Sequence, residues 1–108
     1  VTRDRIGPVL AALADPTRRH VVETLLQEGS TSVPALTASL PITRQAVAKH
    51  LAALGEAGLV ERSPSPGREV RYRLRPGAIA PASEWLGGVA ADWDRRLERL
   101  RDAVEGRG

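Results

Sequence analysis

Between Ser32 and Val60 the chain reads SVPALTASLPITRQAVAKHLAALGEAGLV, and its start and stop signals leave room for two short helices meeting at a corner. Ser32 suits the cap of the first, its hydroxyl accepting an orphan backbone N–H, and Pro34 falls in the first turn, where no donor is missed. Val33, Leu36 and Leu40 give that helix a stripe to bury. Pro41 pushes Leu40 out of the α region and stops it. Thr43 caps a second helix over about 44–57, which ends where Gly58 can take a positive φ.

The second helix is amphipathic in an informative way. At about 100° per residue, Val47, Leu51 and Leu54 share one narrow stripe. Gln45 and Lys49 point the opposite way beside the small Ala52 and Ala53, while Arg44 and His50 flank the stripe. Such a helix can bury one face and offer Arg, Gln and Lys to a DNA major groove. Two helices at a tight corner, the second reading bases from its N-terminal end, is helix-turn-helix geometry. An ordinary amphipathic helix with a solvated polar face is the plainer alternative, and the flanking segments decide against it.

Charge is distributed as DNA binding would need. The net charge of +3 is modest, but residues 61–75 hold five arginines against Glu61 and Glu69, and residues 31–60 hold Arg44 and Lys49 against Glu56. Residues 1–30 balance four arginines with four acids, and residues 76–108 are slightly acidic. At 108 residues, a single domain over 1–108 is expected. Hydrophobic residues make up 42% of it, mostly Ala, Leu and Val with no Phe or Met, which favours packed helices over a large sandwich. No run approaches the ~18 apolar residues of a membrane span, so no membrane partner is expected and a cytoplasmic location is.

Ahead of the corner, Val9, Leu10 and Leu13 form a small apolar face on a helix expected to start at Pro8 and end near Ala14. Gly7-Pro8 argues against an earlier start that would include Ile6. Asp15-Pro16 is a strong second start, a capping carboxylate followed by Pro at N1. Val21, Val22, Leu25 and Leu26 are expected to pack inward until Gly29 ends the helix. Arg18 and Arg19 fall in its first turn, where the helix dipole disfavours cations. An acidic neighbour is the expected partner for both, with a DNA phosphate the alternative.

After Gly58 the period changes to alternation. A strand over Leu59–Ser63, the turn cluster Pro64-Ser65-Pro66-Gly67, and a strand over Glu69–Leu74 make a β-hairpin. Val70, Tyr72 and Leu74 share one of its faces, Arg71 and Arg73 the other, and Arg68 lies beside its tip. Following a helix-turn-helix, the hairpin (about 59–74) is a wing whose Arg68 and Arg71 can serve the DNA backbone or minor groove. The fold expected is mainly α with one small hairpin: four helices, two strands and a fifth helix, a winged helix-turn-helix. The fifth, about 81–105, carries Leu86, Val89, Trp93, Leu97, Leu100 and Val104 as one continuous stripe. That exceeds what a small domain needs for its own core and asks for a partner helix.

No residues support an enzyme. No Ser-His-Asp logic surrounds either histidine, no glycine-rich phosphate loop is present, and zero cysteines remove thiolate chemistry. His20 and Glu23, at i and i+3, are at most half a metal site, with nothing nearby to complete it. No catalytic, metal or cofactor site is expected.

The segments ALADPTRRHVVETL, TRQAVAKHLAALGEAGLV and GREVRYRL together resemble the ArsR family of bacterial winged-helix repressors, over about Leu10 to Leu74. The ADPTRR helix start, the A-V-x-K-H-L recognition helix, the E-A-G-L-V exit and the wing make a highly specific combination. The resemblance implies a bacterial, homodimeric repressor that binds a palindromic operator in double-stranded DNA. It also implies release by a ligand or metal, so a small-molecule inducer of unidentified chemistry is a candidate partner. It further implies that the last helix packs with the first around the dimer axis, which adds Val9, Leu10 and Leu13 to the interface with Leu86, Val89, Trp93, Leu97 and Leu100. Metal-sensing members carry cysteines in the helix matching SVPALTASL, or His and acidic ligands in the last helix. Here residues 33–40 have no Cys, His or acid and residues 76–108 have no His. The ending WLGGVAADWDRRLERL resembles the cysteine-free branch instead. On this reading Thr43, Arg44, Gln45, Lys49 and His50 bear on the major groove. Gln45 suits adenine, and Arg44 suits guanine or phosphate. A winged-helix module used only for protein–protein assembly is the alternative, though such modules usually lose the basic recognition face.

Overall fold

Short polar side chains start three of the helices, and glycines or prolines stop them. The computed structural model describes residues 4–64 and 67–106. Its elements run α1 (Gly7–Leu13), α2 (Pro16–Glu28), α3 (Val33–Ser39), α4 (Arg44–Glu56), β1 (Val60–Ser63), β2 (Arg71–Leu74) and α5 (Ala80–Glu105), the expected winged-helix order. Asp15 accepts the Thr17 and Arg18 amides at 2.7 and 3.2 Å, Ser32 the Ala35 amide and Thr43 the Ala46 amide. Leu40 is extended at φ −116° and ψ 142°, as Pro41 requires. Gly58 sits at φ 80° and closes α4: its amide reaches the Gly55 carbonyl while the Leu59 amide reaches Leu54, satisfying two orphan carbonyls at once.

Three expectations about boundaries and faces need correction. First, α1 begins one residue before Pro8, because the Asp4 carboxylate accepts the Ile6 and Gly7 amides and caps it from outside. Ile6 is thereby drawn against the core. Second, the hairpin is shorter than its alternation suggested. Register pairs Val60 with Leu74 and Ser63 with Arg71, so the ladder ends where Pro64 cannot donate. Val70 is consequently exposed and outside the strand. Ser65 and Pro66 of the expected turn lie outside the described residues. Third, Leu26 is exposed, since it falls off the arc that Val21, Val22 and Leu25 bury.

The core lies between α1–α4 and the root of the hairpin. Val21, Leu25, Leu36, Val47, Leu54 and Leu59 are at most 2% exposed, each contributing on the order of 1.5–3 kcal/mol of burial. Thr31, just before α3, makes an isolated antiparallel bridge to Tyr72 on the outer side of the two-stranded hairpin. The last element behaves differently. Of α5 only Ala82 is buried and Pro81 half-buried, and every residue from Ser83 to Glu105 is exposed. At 1.5 Å per residue it extends about 39 Å. The radius of gyration is accordingly 19.1 Å, against about 13 Å for a compact chain of this size.

Candidate nucleic-acid interface

The corner between α3 and α4 fixes which residues of α4 are free. Thr43, with its hydroxyl committed to the Ala46 amide, ends the corner, and burial of Val47, Leu51 and Leu54 pins one side of the helix. Arg44, Gln45, Ala48, Lys49 and Ala52 are all exposed on the rest. Among the described residues Arg44, Gln45 and Lys49 make no side-chain hydrogen bond or ion pair, so their donors and acceptors are available. The exposed alanines between them let a partner approach the backbone.

His50 is placed differently from its neighbours. It is half-buried and its Nδ1 accepts a hydrogen bond from Arg18 Nε at 3.3 Å, which ties α4 to the first turn of α2. Among the described residues Arg18 and Arg19 have no acidic partner of the kind expected. Arg19 instead reaches back to the Leu13 and Ala14 carbonyls at 2.8 and 3.2 Å. A cation at the C-terminal carbonyls of α1 is electrostatically favourable, which offsets its position near the N-terminus of α2. The Asp15 carboxyl is held below its ordinary pKa chiefly by the Arg18 amide, then by the Thr17 amide and the nearby Arg18 guanidinium, against some desolvation. Asp4 is likewise lowered by the Gly7 and Ile6 amides.

On the hairpin, the expected basic face is largely engaged. Arg73 pairs with Glu61 at 2.8 Å, its cross-strand neighbour in the register, and Arg75 lies 4.0 Å from the same carboxylate. Arg71 bonds Ser30 through two nitrogens and lies 3.6 Å from Glu69. Arg68, beside the tip, is exposed and makes no ion pair among the described residues. Sequence reasoning missed the Arg18–His50 and Arg71–Ser30 pairs, which join residues 32 and 41 positions apart. No spacing rule signals such pairs. Glu61 opposite Arg73 could have been found by fixing the hairpin register from Pro64.

The residues expected at an interface with a partner helix divide. Leu86, Val89, Trp93, Leu97 and Leu100 form an open apolar stripe, with Trp93 58% exposed. Leu10 and Leu13 are partly buried against the core, and Val9 is 3% exposed and belongs to it. Val9 therefore has almost no surface left for a partner. Among the described residues no three His, Asp or Glu side chains gather where they could hold a metal ion, and no helix is long and apolar enough to cross a membrane.

A four-helix body with a helix-turn-helix packed on one side, an exposed polar face on α4 and a hairpin directly after it has the architecture of a winged-helix DNA-binding protein. The comparisons agree. A family profile described as a helix-turn-helix domain matches residues 13–63. The HTH-type transcriptional regulator Rv2034 of Mycobacterium tuberculosis is 37% identical over 97 residues, covering 90% of this chain and 86% of the relative. The structure of an ArsR-like transcriptional regulator from Rhodococcus sp. RHA1 superposes with a TM-score of 0.74 at 38% identity, covering 94% of this chain and 92% of the other. A homodimeric winged helix-turn-helix DNA-binding domain, Mb0332 from Mycobacterium bovis, gives 0.64 at 27% identity, with coverage of 82% and 81%. The chain belongs to the ArsR family of winged helix-turn-helix transcriptional regulators, and it is a DNA-binding regulator rather than an enzyme.

Proposed function

We propose that this regulator is a homodimeric repressor that reads a palindromic operator, with Thr43, Arg44, Gln45 and Lys49 in the major groove and Arg68 on the backbone beside it. The observation that carries the reading is the division of α4: one side is fully buried at Val47 and Leu54, and the other offers Arg44, Gln45 and Lys49 uncommitted. His50 supports the helix through Arg18 instead of reading bases. One recognition helix covers too few base pairs to select an operator. A twofold dimer sets two about 34 Å apart, one turn of DNA, and so demands a palindrome. The uncovered stripe of α5 and the homodimeric relative from Mycobacterium bovis support that assembly. With no cysteine in the chain, an inducer held by thiolates is excluded.

Selection of bound fragments from random DNA would give the operator, and gel shifts on it test the assignment. Arg44→Ala or Gln45→Ala is expected to cost about 1–3 kcal/mol and to relax base preference at the contacted position. Arg68→Ala should weaken operator and random DNA alike. A Gln45→Ala protein with its base preference intact would overturn the assignment.

A further inference from the structure

We infer that Arg71 is a positioning residue, a latch that sets the wing against the helix-turn-helix, and not a contact to DNA. The inference rests on the reading of the wing as a DNA-facing element. All three nitrogens of its guanidinium have partners: Nε donates to Ser30 Oγ at 2.9 Å, Nη2 donates to the Ser30 carbonyl at 3.1 Å, and Nη1 lies 3.6 Å from Glu69 Oε1. The residue is half-buried, and meeting a phosphate would require it to abandon this set.

The position of Ser30 gives the contact its consequence. Ser30, Thr31 and Ser32 are consecutive and each fastens something different. Ser30 holds the Arg71 side chain, and Thr31 exchanges both backbone hydrogen bonds with Tyr72, at 3.0 and 2.8 Å. Ser32, 1% exposed, caps α3, the first helix of the corner. The root of the wing and the start of the helix-turn-helix are thus anchored at one point. Arg68 lies three residues beyond Arg71, about 10 Å of extended chain, so a small rotation at the root displaces it from a phosphate. Arg73 cannot substitute, because it pairs within the hairpin with Glu61.

The two roles respond oppositely to lysine. Arg71→Lys keeps the charge a phosphate contact would need but loses the planar fork that grips Ser30 at two atoms. On the full chain with its selected operator, Arg71→Lys is expected to bind about three- to tenfold more weakly, the scale of one or two net hydrogen bonds. Amide exchange at Thr31 and Tyr72 should quicken. Ser30→Ala, a milder change, should quicken the same amides, and combining it with Arg71→Lys should add little. Removing Arg68 from the Arg71→Lys protein should also lose less affinity than removing it from the wild type, a coupling that general destabilisation would not produce. Wild-type affinity and unchanged exchange in Arg71→Lys would overturn the latch. So would an Arg71→Ala protein whose salt dependence falls by the slope of one phosphate contact, about 0.9. If Arg68→Ala leaves operator binding unchanged while Arg71→Lys still quickens exchange, the latch stands and the wing's role on DNA fails.

Discussion

Leu54 and Leu97 are the same residue on two amphipathic helices, yet the first is fully buried and the second is 45% exposed. The α4 helix packs onto α3 most extensively, and onto α1, α2 and β1, all of its own chain. The stripe on α5 runs on past the body, and beyond Ala82 no described residue of the chain buries it. Hydrophobic periodicity therefore says that a face is to be buried, not by which chain. The body is a solved packing problem, and α5 is half of one.

Substitution on α5 is the most direct way to break this contrast. Trp93→Ala, at the middle of the open stripe, is expected to remove about 3–5 kcal/mol of coupled folding and association. Analytical ultracentrifugation should find the wild type dimeric at micromolar concentration and the variant monomeric or unfolded, with operator binding lost. A wild-type monomer binding the full palindrome tightly would end the contrast. Leu54→Ala acts on the other side of it. Emptying a fully buried site should cost about 2–5 kcal/mol in denaturant unfolding, while the native dimer dissociation constant stays where it was. A shift in that constant would mean that body and α5 are not separable.

Acid probes the body at the cap of α2. Asp15 has a folded pKa below its ordinary 3.8, so its ionised form stabilises α2 above that value. The contribution is lost as pH falls through the lower, folded value. Asp15→Ala should lower the melting temperature at pH 7 by less than Leu54→Ala does, and its deficit should vanish in acid. Melts of both proteins across that range test the sign. The smallest effect expected is on α5 itself. Gly87 and Gly88 lie off the stripe, and a Cβ added at either meets nothing within 4 Å. Gly88→Ala should therefore stabilise the helix by about 1 kcal/mol with association unchanged. Weaker association would reveal a close helix crossing at that point.

The features legible in the sequence are those set by local chemistry. Asp15, Ser32 and Thr43 cap where their neighbours predict, and Leu40 and Gly58 end helices for reasons visible within two residues. The exposed polar side of α4 was legible too, because Arg44, Gln45 and Lys49 are positioned by the same periodicity that buries Val47. Arg71 and His50 were not, since a helix or strand face fixes only a direction. Whether a cation pointing that way meets solvent or Ser30 depends on an element 41 residues away. Val9 turns inward for a related reason: the core takes the face of α1 that carries it and Ala12, and leaves Leu10 and Leu13 partly open.

The position of α5 in the chain has a consequence for biogenesis. All of the body except the Ala82 contact, from α1 through β2, leaves the ribosome before the rest of α5 does, at roughly 5–20 residues per second. The adhesive helix is therefore the last of these elements to be made, and it emerges onto a body whose own apolar surface can already be hidden. For the proposed dimer, what would remain is a second-order encounter between finished bodies. The active form then rises faster than linearly with synthesis while protomers are scarce, so a cell making little of this regulator holds it disarmed.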